Sequence, residues 1–398
     1  MSLWIRHLDE RISAWRAAGL DRRLRVADGE GVRLRVEGRD VVSFASNDYL
    51  GLSRHPRVKA ASRAALDAHG AGATASRLIC GTRPEHEELE TALARFKGSA
   101  ACLVFASGYQ TPLALLPALA GDTPCAIVLD RLAHACLVDG ARLSGARVRT
   151  FRHNDPEDLA AVLEKEAART ADVRILIAVE SLYSMDGDVA PLAEIHGVAR
   201  RFGAWLLVDE AHATGVLGPG GRGVLAEVFP GRLPDDVLAM GTLSKALGSQ
   251  GGYLCAARCV TDLLVQTGRA FLFSTGLAPA AAAAAREALQ RIEEDDGPRQ
   301  RLLERSAMLC EQLRKDGWTV GGQATCGPWR SPILPLLVGD ERRAVELADA
   351  LLECGFWVPA IRYPTVKRGA ARLRISLSAA HEDAEIDALR GACLRLAR

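Results

Sequence analysis

Trp205-Leu206-Leu207-Val208-Asp209-Glu210-Ala211-His212 is an unbroken apolar run that ends in carboxylates and an imidazole. A strand with no polar face belongs inside a sheet covered on both sides. Comparable runs precede it at Ala101-Cys102-Leu103-Val104-Phe105, Ala126-Ile127-Val128-Leu129 and Ile175-Leu176-Ile177-Ala178-Val179, another follows at Val237-Leu238-Ala239-Met240, and helical patterns such as Gln110 to Leu119 lie between them. Continuous apolar strands alternating with helices predict an α/β fold built on a mostly parallel sheet. Ligands of such sheets sit at the carboxyl ends of the strands, which is where Asp209 and His212 stand.

Thr242-Leu243-Ser244-Lys245-Ala246-Leu247-Gly248 follows the next strand and sets one Lys among small residues. A Lys amine held in this way is a nucleophile for an aldehyde, by Schiff-base formation. An aldehyde cofactor working as an electron sink needs an amine to hold it, a carboxylate to keep its ring nitrogen protonated and a donor near its phenolate oxygen. Lys245, Asp209 and His212 supply the three. Singly, Asp209 reads as a helix N-cap and His212 as a satisfied core histidine; the ordered set outweighs those readings. Ser107-Gly108-Tyr109-Gln110 opens a helix whose free N–H groups suit a phosphate, although a plain strand-to-helix turn reads the same way. His134, after the strand ending at Leu129, brings an imidazole able to stack on a flat ring. Ser184, in Glu180-Ser181-Leu182-Tyr183-Ser184-Met185-Asp186-Gly187-Asp188, lies past another strand end. Asp186 and Asp188 around one Gly read as a turn, and no metal is expected. In Ser46-Asn47-Asp48-Tyr49-Leu50-Gly51, polar and aromatic residues mix where a plain loop would need no Tyr. Gly70, Gly72 and Ala75 loosely fit a dinucleotide fingerprint, but a helix precedes them where the fingerprint needs a strand, so a nicotinamide oxidoreductase is disfavoured.

The 398 residues suffice for a large domain and a smaller one. The expected division is 1–50 as an N-terminal arm and short hairpin, 51–285 as the large cofactor-binding domain, and 286–398 as a small α+β domain. The arm is a helix over residues 3 to 20 with Leu3, Trp4, Leu8, Ile12 and Trp15 at helical spacing. The Ala-rich run after Pro279 predicts the linking helix. With 50 Lys+Arg against 49 Asp+Glu, charge points to neither nucleic acid nor an anionic membrane, and small molecules are the expected partners. Ten cysteines without a Cys-x-x-Cys pair read as buried thiols in a reducing compartment. The charged N-terminus is unlike a signal peptide and no run reaches the length of a membrane span; the expected location is cytoplasmic.

On the motifs Ser46 to Gly51, Ser184 to Asp188, Asp209-Glu210-Ala211-His212-Ala213-Thr214-Gly215 and Gly241-Thr242-Leu243-Ser244-Lys245-Ala246, the chain resembles the pyridoxal-phosphate-dependent α-oxoamine synthases from about Leu20 to His381. The resemblance implies a fold-type I transferase of the aspartate-aminotransferase fold, pyridoxal 5'-phosphate as cofactor, and a homodimer with shared active sites. It implies Lys245 as the Schiff-base lysine, Asp209 on the pyridine nitrogen, His212 near the phenolate and His134 stacked on the ring. Gly108, Tyr109 and Thr242 would hold the phosphate, with Thr275 reaching in from the partner subunit and Ser184 bonding the cofactor. Arg374 would clamp the amino-acid carboxylate, with Asn47, Thr365 and Arg22 as further substrate contacts. The runs Val358 to Val366 and Arg372 to His381 imply an acyltransferase that condenses L-alanine with a pimeloyl thioester of coenzyme A or an acyl carrier protein. Glycine with an acetyl thioester and serine with a palmitoyl thioester are the alternatives. Two positions depart from the pattern: Asp21 stands where many relatives have an Arg, so Arg22 or Arg23 takes over or the acyl contact is lost, and Tyr363 replaces a common Pro. A non-catalytic scaffold of the same fold would have no need of Lys245, Asp209 and His212 together.

Overall fold

A computed structural model of the chain describes residues 2–121, 123–169, 172–321 and 331–396. Three strands come first, β1 (Ala27–Glu30), β2 (Arg33–Val36) and β3 (Arg39–Ser43), in an antiparallel meander. Seven more form the central sheet: β4 (Ala101–Phe105), β5 (Cys125–Asp130), β6 (Arg147–Phe151), β7 (Arg174–Glu180), β8 (Trp205–Asp209), β9 (Val237–Thr242) and β10 (Gly252–Ala256). Their order is β4-β10-β9-β8-β7-β5-β6. Every neighbouring pair from β9 to β6 is parallel, and β10 runs against both β9 and β4. After them come β11 (Ile333–Gly339), β12 (Phe356–Trp357), β13 (Ala360–Ile361) and β14 (Ala371–Ser376). β11, β14 and β13 make an antiparallel sheet, whereas β12 crosses to pair in parallel with β3.

Alternation along β8 shows why an unbroken apolar run suits this place. Leu206 and Val208 are buried in one hydrophobic core and Leu207 in the core on the other face, as the two-residue period of a strand demands. Each such side chain stabilises the fold by about 1.5–3 kcal/mol. The Ala-rich segment becomes the helix Pro279–Glu294, with Pro in its first turn and Ala282, Ala283, Ala284, Ala285 and Ala288 buried. It packs on the helices Pro56–His69 and Pro84–Lys97, and side chains this small let helix axes approach closely. The first helix spans Leu3–Ala17 and has no buried residue; Trp4 is 76% exposed and Leu8 48%.

The cysteines depart in part from the expectation of buried thiols. Cys136, Cys255, Cys310 and Cys393 are buried, Cys80, Cys259 and Cys354 are exposed, and none of the described cysteines is in a disulfide. The exposed three sit on helical or turn positions that face solvent, which an apolar sequence neighbourhood alone does not report; Cys326 lies outside the described residues. Among the described residues no helix is long and apolar enough to cross a membrane.

Candidate active site

Beyond the carboxyl ends of β7, β8 and β9 lies a cavity of about 290 Å³, lined among others by Gly108, Tyr109, His134, Glu180, Asp209, His212, Thr242 and Lys245. The topology brings these together: each strand end delivers its first loop residues to one lip, although more than a hundred residues separate Gly108 from Lys245 in sequence.

Lys245 begins a chain of hydrogen bonds that runs out of the cavity. Its Nζ is 2.8 Å from His212 Nε2, and His212 Nδ1 is 2.6 Å from the Tyr49 hydroxyl. Tyr49 donates to Asn47 Oδ1 at 3.2 Å, and Arg374 donates to the same oxygen from Nη1 at 3.3 Å and Nη2 at 3.2 Å. Burial, with the charges of Lys245 and Arg374 nearby, pushes His212 well below the usual histidine range, so its ring is neutral and offers one donor and one acceptor. Burial also raises the Tyr49 hydroxyl, which stays a phenol. One set of protons satisfies all of these groups: the Lys245 ammonium donates to Nε2, Nδ1–H donates to Tyr49, and Tyr49 donates to Asn47. Burial pulls Lys245 down to about 8 against the opposing charge of Asp209, close enough to neutrality for the amine to lose its proton readily.

Asp209 is not a helix N-cap. A turn follows it, with the Ala211 N–H bonded to Oδ1 at 2.9 Å. Its register partner on β7 is Glu180, a second carboxyl in the same cavity. Burial raises both, and Lys245 opposes the rise at both; Glu180, with Asp209 adding to the effect, is pushed well above the carboxylate range. Two neighbouring buried carboxyls do not both ionise, so Glu180 is the neutral one and Asp209 carries the charge. Glu180 Oε2 accepts the Ser184 N–H at 3.2 Å, and Oε1 is buried with no partner. Sequence reasoning missed Glu180 and the role of Tyr49. Glu180 directly follows the predicted strand Ile175 to Val179, as Asp209 follows an apolar run, and Tyr49 stood out as an aromatic in a polar loop.

At the far end of the cavity, Thr242 Oγ1 donates to the Gly251 carbonyl at 2.8 Å and lies against the 107–108 turn. A Cβ on Gly108 would lie 3.0 Å from the Thr242 side chain and push it aside, at the turn that leads into helix Gln110–Ala120. Tyr109 bonds Asp139 through its hydroxyl and meets His134 edge-on at 6.2 Å. His134 accepts the Cys136 N–H at Nδ1, which fixes its ring at the mouth.

Other expected residues lie elsewhere. Ser184 presents its carbonyl to Arg374 Nε at 2.7 Å and does not line the cavity. Thr275 is exposed, bridged to Ser76 of its own chain and flanked by exposed Phe273, with Ile79 also exposed near Ser76. Arg22 donates to the Tyr363 carbonyl at 2.9 Å in a separate cleft of about 860 Å³ that also holds Arg16, Arg23, Arg25, Arg342 and Arg362. Thr365 is exposed in the turn above Arg362. Asp186 pairs with Arg372 and Asp188 with His153. The dinucleotide-like glycines form a helix end, with Gly70 at φ +77°.

The donor set fits pyridoxal phosphate: a Lys of lowered pKa for the aldehyde, a buried charged carboxylate in line with it, a phosphate-sized cradle at a helix start, and an imidazole at the mouth. Comparisons with known proteins point the same way. The sequence matches the family model described as aminotransferase class I and II over residues 39–392. An 8-amino-7-oxononanoate synthase from Methylobacterium radiotolerans is 47% identical over 380 residues, covering 95% of this chain and 94% of that protein. A solved serine palmitoyltransferase from S. paucimobilis with bound PLP–myriocin has a TM-score of 0.91 at 29% identity, covering 100% of this chain and 98% of that one. A solved 8-amino-7-oxononanoate synthase from Francisella tularensis has a TM-score of 0.74 at 26% identity, covering 89% and 97%. The chain therefore belongs to the aminotransferase class I and II family and, within it, to the pyridoxal-phosphate-dependent α-oxoamine synthases.

Proposed function

We propose that the chain condenses L-alanine with a pimeloyl thioester to give 8-amino-7-oxononanoate, carbon dioxide and the free thiol, a step of biotin biosynthesis, as a homodimer with shared sites. The hydrogen-bond chain from Lys245 to Arg374 carries the reading, because it couples an amine poised near neutrality to a guanidinium able to grip a carboxylate two-pronged. The relative from Methylobacterium radiotolerans, named for making 8-amino-7-oxononanoate, supports the choice of product.

When bound, pyridoxal phosphate supplies an aldehyde and a ring that draws electrons from the α-carbon of the amino acid. Lys245 would hold the aldehyde, charged Asp209 the ring nitrogen, His212 the phenolate side, His134 the ring face, and Gly108, Tyr109 and Thr242 the phosphate. Arg374, aimed by Asn47 and the Ser184 carbonyl, orients the alanine carboxylate. Lys245 Nζ takes the α-proton and returns a proton to the product; neutral His212 keeps the amine from drifting without competing for that proton. In the balanced conversion the α-carbon of alanine bonds to the thioester carbonyl, the thiol leaves, and the alanine carboxyl departs as carbon dioxide.

A second reading, serine with a palmitoyl thioester, is favoured by the higher TM-score of the serine palmitoyltransferase structure. Alanine, glycine and serine assayed against pimeloyl, acetyl and palmitoyl thioesters, with thiol release as the signal, separate the two. The expected result is highest kcat/KM for alanine with pimeloyl thioester. Amino-acid selectivity will be incomplete, since one methyl group is worth only about 1–3 kcal/mol. Highest kcat/KM for serine with palmitoyl thioester would replace the first reading by the second.

A further inference from the structure

His153 takes no part in the cavity, yet it is the centre of a charged cluster beneath it. Its Nδ1 is 2.9 Å from Asp130 Oδ1 and its Nε2 is 2.8 Å from Asp188 Oδ2. A ring nitrogen facing a carboxylate must carry a proton to bond it, and here both do, so the ring is an imidazolium. Burial alone would lower His153, but the hydrogen bonds of Asp130 and Asp188 push it up to about 10. Asn154 doubles both links: its N–H reaches Asp130 Oδ2 at 2.9 Å and its Nδ2 reaches Asp188 Oδ2 at 2.9 Å. The ring also stands edge-on to Tyr183, with centroids 4.4 Å apart.

Asp130 ends β5 in the central sheet, whereas Asp188 and Tyr183 belong to the loop after β7. That loop is stiff within itself: Tyr183 N–H bonds the Asp188 carbonyl at 3.0 Å and Gly187 N–H the Tyr183 carbonyl at 2.9 Å. Its opposite edge holds β14. Ser184 O takes Arg374 Nε at 2.7 Å, Met185 O takes Arg372 Nη1 at 2.9 Å, and Asp186 pairs with Arg372 at 2.7 Å. The loop is thus a rigid tab with His153 on one side and the guanidinium of Arg374 on the other.

We propose that His153 is a positioning residue for the amino-acid substrate: by bridging Asp130 and Asp188 it fixes the 181–190 loop on the central sheet, and the loop in turn holds the guanidinium of Arg374 in place. This rests on Arg374 gripping the substrate carboxylate, as proposed above. Thr242 and Lys245 make no bond to this loop, and its links to Asp209 reach only the backbone, the Asp209 carbonyl taking Ser181 N–H at 2.9 Å and Ser181 Oγ at 3.3 Å, so the effect falls on the amino acid.

The test uses the holoenzyme and His153→Phe, whose ring keeps the contact with Tyr183 and loses both bridges. The dissociation constant of L-alanine, read from the visible absorption change without thioester, should rise about tenfold, the scale of a lost charged hydrogen bond. The KM for the thioester and the affinity for pyridoxal phosphate should stay within about twofold. In an Arg374→Lys background the same change should add less than about twofold, because residues acting through one path are not additive. Wild-type alanine affinity, additive losses, or an equal rise in thioester KM would each overturn the proposal. Should the Phe variant not fold, Asp188→Asn, which keeps the shape and removes one charge from the bridge, is read by the same criteria. If Arg374→Lys alone leaves alanine affinity unchanged, the carboxylate grip fails and the proposal with it; if that variant binds alanine weakly while His153→Phe binds it normally, only the proposal fails.

Discussion

In the proposed reaction Lys245 and Asp209 carry the chemistry, and their surroundings set what each does at a given pH. Only the unprotonated amine attacks an aldehyde, and Lys245 is lowered from 10.5 to about 8. Uptake of pyridoxal phosphate by cofactor-free protein should therefore speed up as pH rises and level off above about 8, as followed by visible absorbance. Borohydride should then fix the label on the peptide that bears Lys245 and on no peptide of Lys245→Ala; label elsewhere would refute the assignment. The carboxyl pair yields a contrast. Asp209→Asn removes the buried charge and should lower kcat by roughly 10²–10³-fold, the range for losing a preorganised electrostatic partner. Glu180→Gln exchanges one neutral group for another of equal shape and should stay within about threefold of wild type. A Glu180→Gln enzyme as crippled as Asp209→Asn would mean that Glu180 works as an anion.

The elements differ in how plainly their sequences announce them. Strands β4, β5, β7, β8 and β9 are buried on both faces, so their apolar runs are unbroken and legible without a structure. β6 was not, because it is the half-exposed one of the two sheet edges: Arg147 and Arg149 alternate along it and both pair with buried Glu166, the charged cover an edge strand needs, whereas β4, the other edge, stays largely buried. β12 and β13 are two residues each, too short for any period. The same logic divides the site. Lys245, Asp209, His212 and His134 follow apolar strands and are found by that position, whereas Tyr49 joins them through a hydrogen bond across the fold, invisible to spacing. The helix Pro279–Glu294 allows a direct test of packing. Ala285 is fully buried, and Ala285→Leu should cost about 1–3 kcal/mol by overpacking, seen as a lower midpoint in urea with an unchanged slope; a wild-type midpoint would mean that the helix is free to shift.

At the scale of the whole molecule, exposed apolar surface is the place to look for the second copy of the proposed dimer. Leu78 is 58% exposed, Ile79 77% and Phe273 74%, and Thr275 lies beside Phe273, bridged to Ser76. Patches of this kind mark association surfaces. If Thr275 completes the partner's phosphate cradle, mixing Lys245→Ala with Thr275→Ala subunits should restore part of the activity, since one site of each hybrid then carries both native residues. No recovery despite proven subunit exchange would assign Thr275 to its own chain.

The pairing of β3 with β12, Val42 opposite Phe356, bears on how the molecule is made. Most of the chain lies between these partners, and β4 likewise waits for β10. A ribosome delivers the meander long before its partner strand β12 can cover it. Contacts so remote in sequence slow folding, and surface left open meanwhile invites aggregation. The meander therefore waits with its β12 edge unpaired while roughly three hundred residues are added, the interval in which an open strand edge is most exposed to wrong partners.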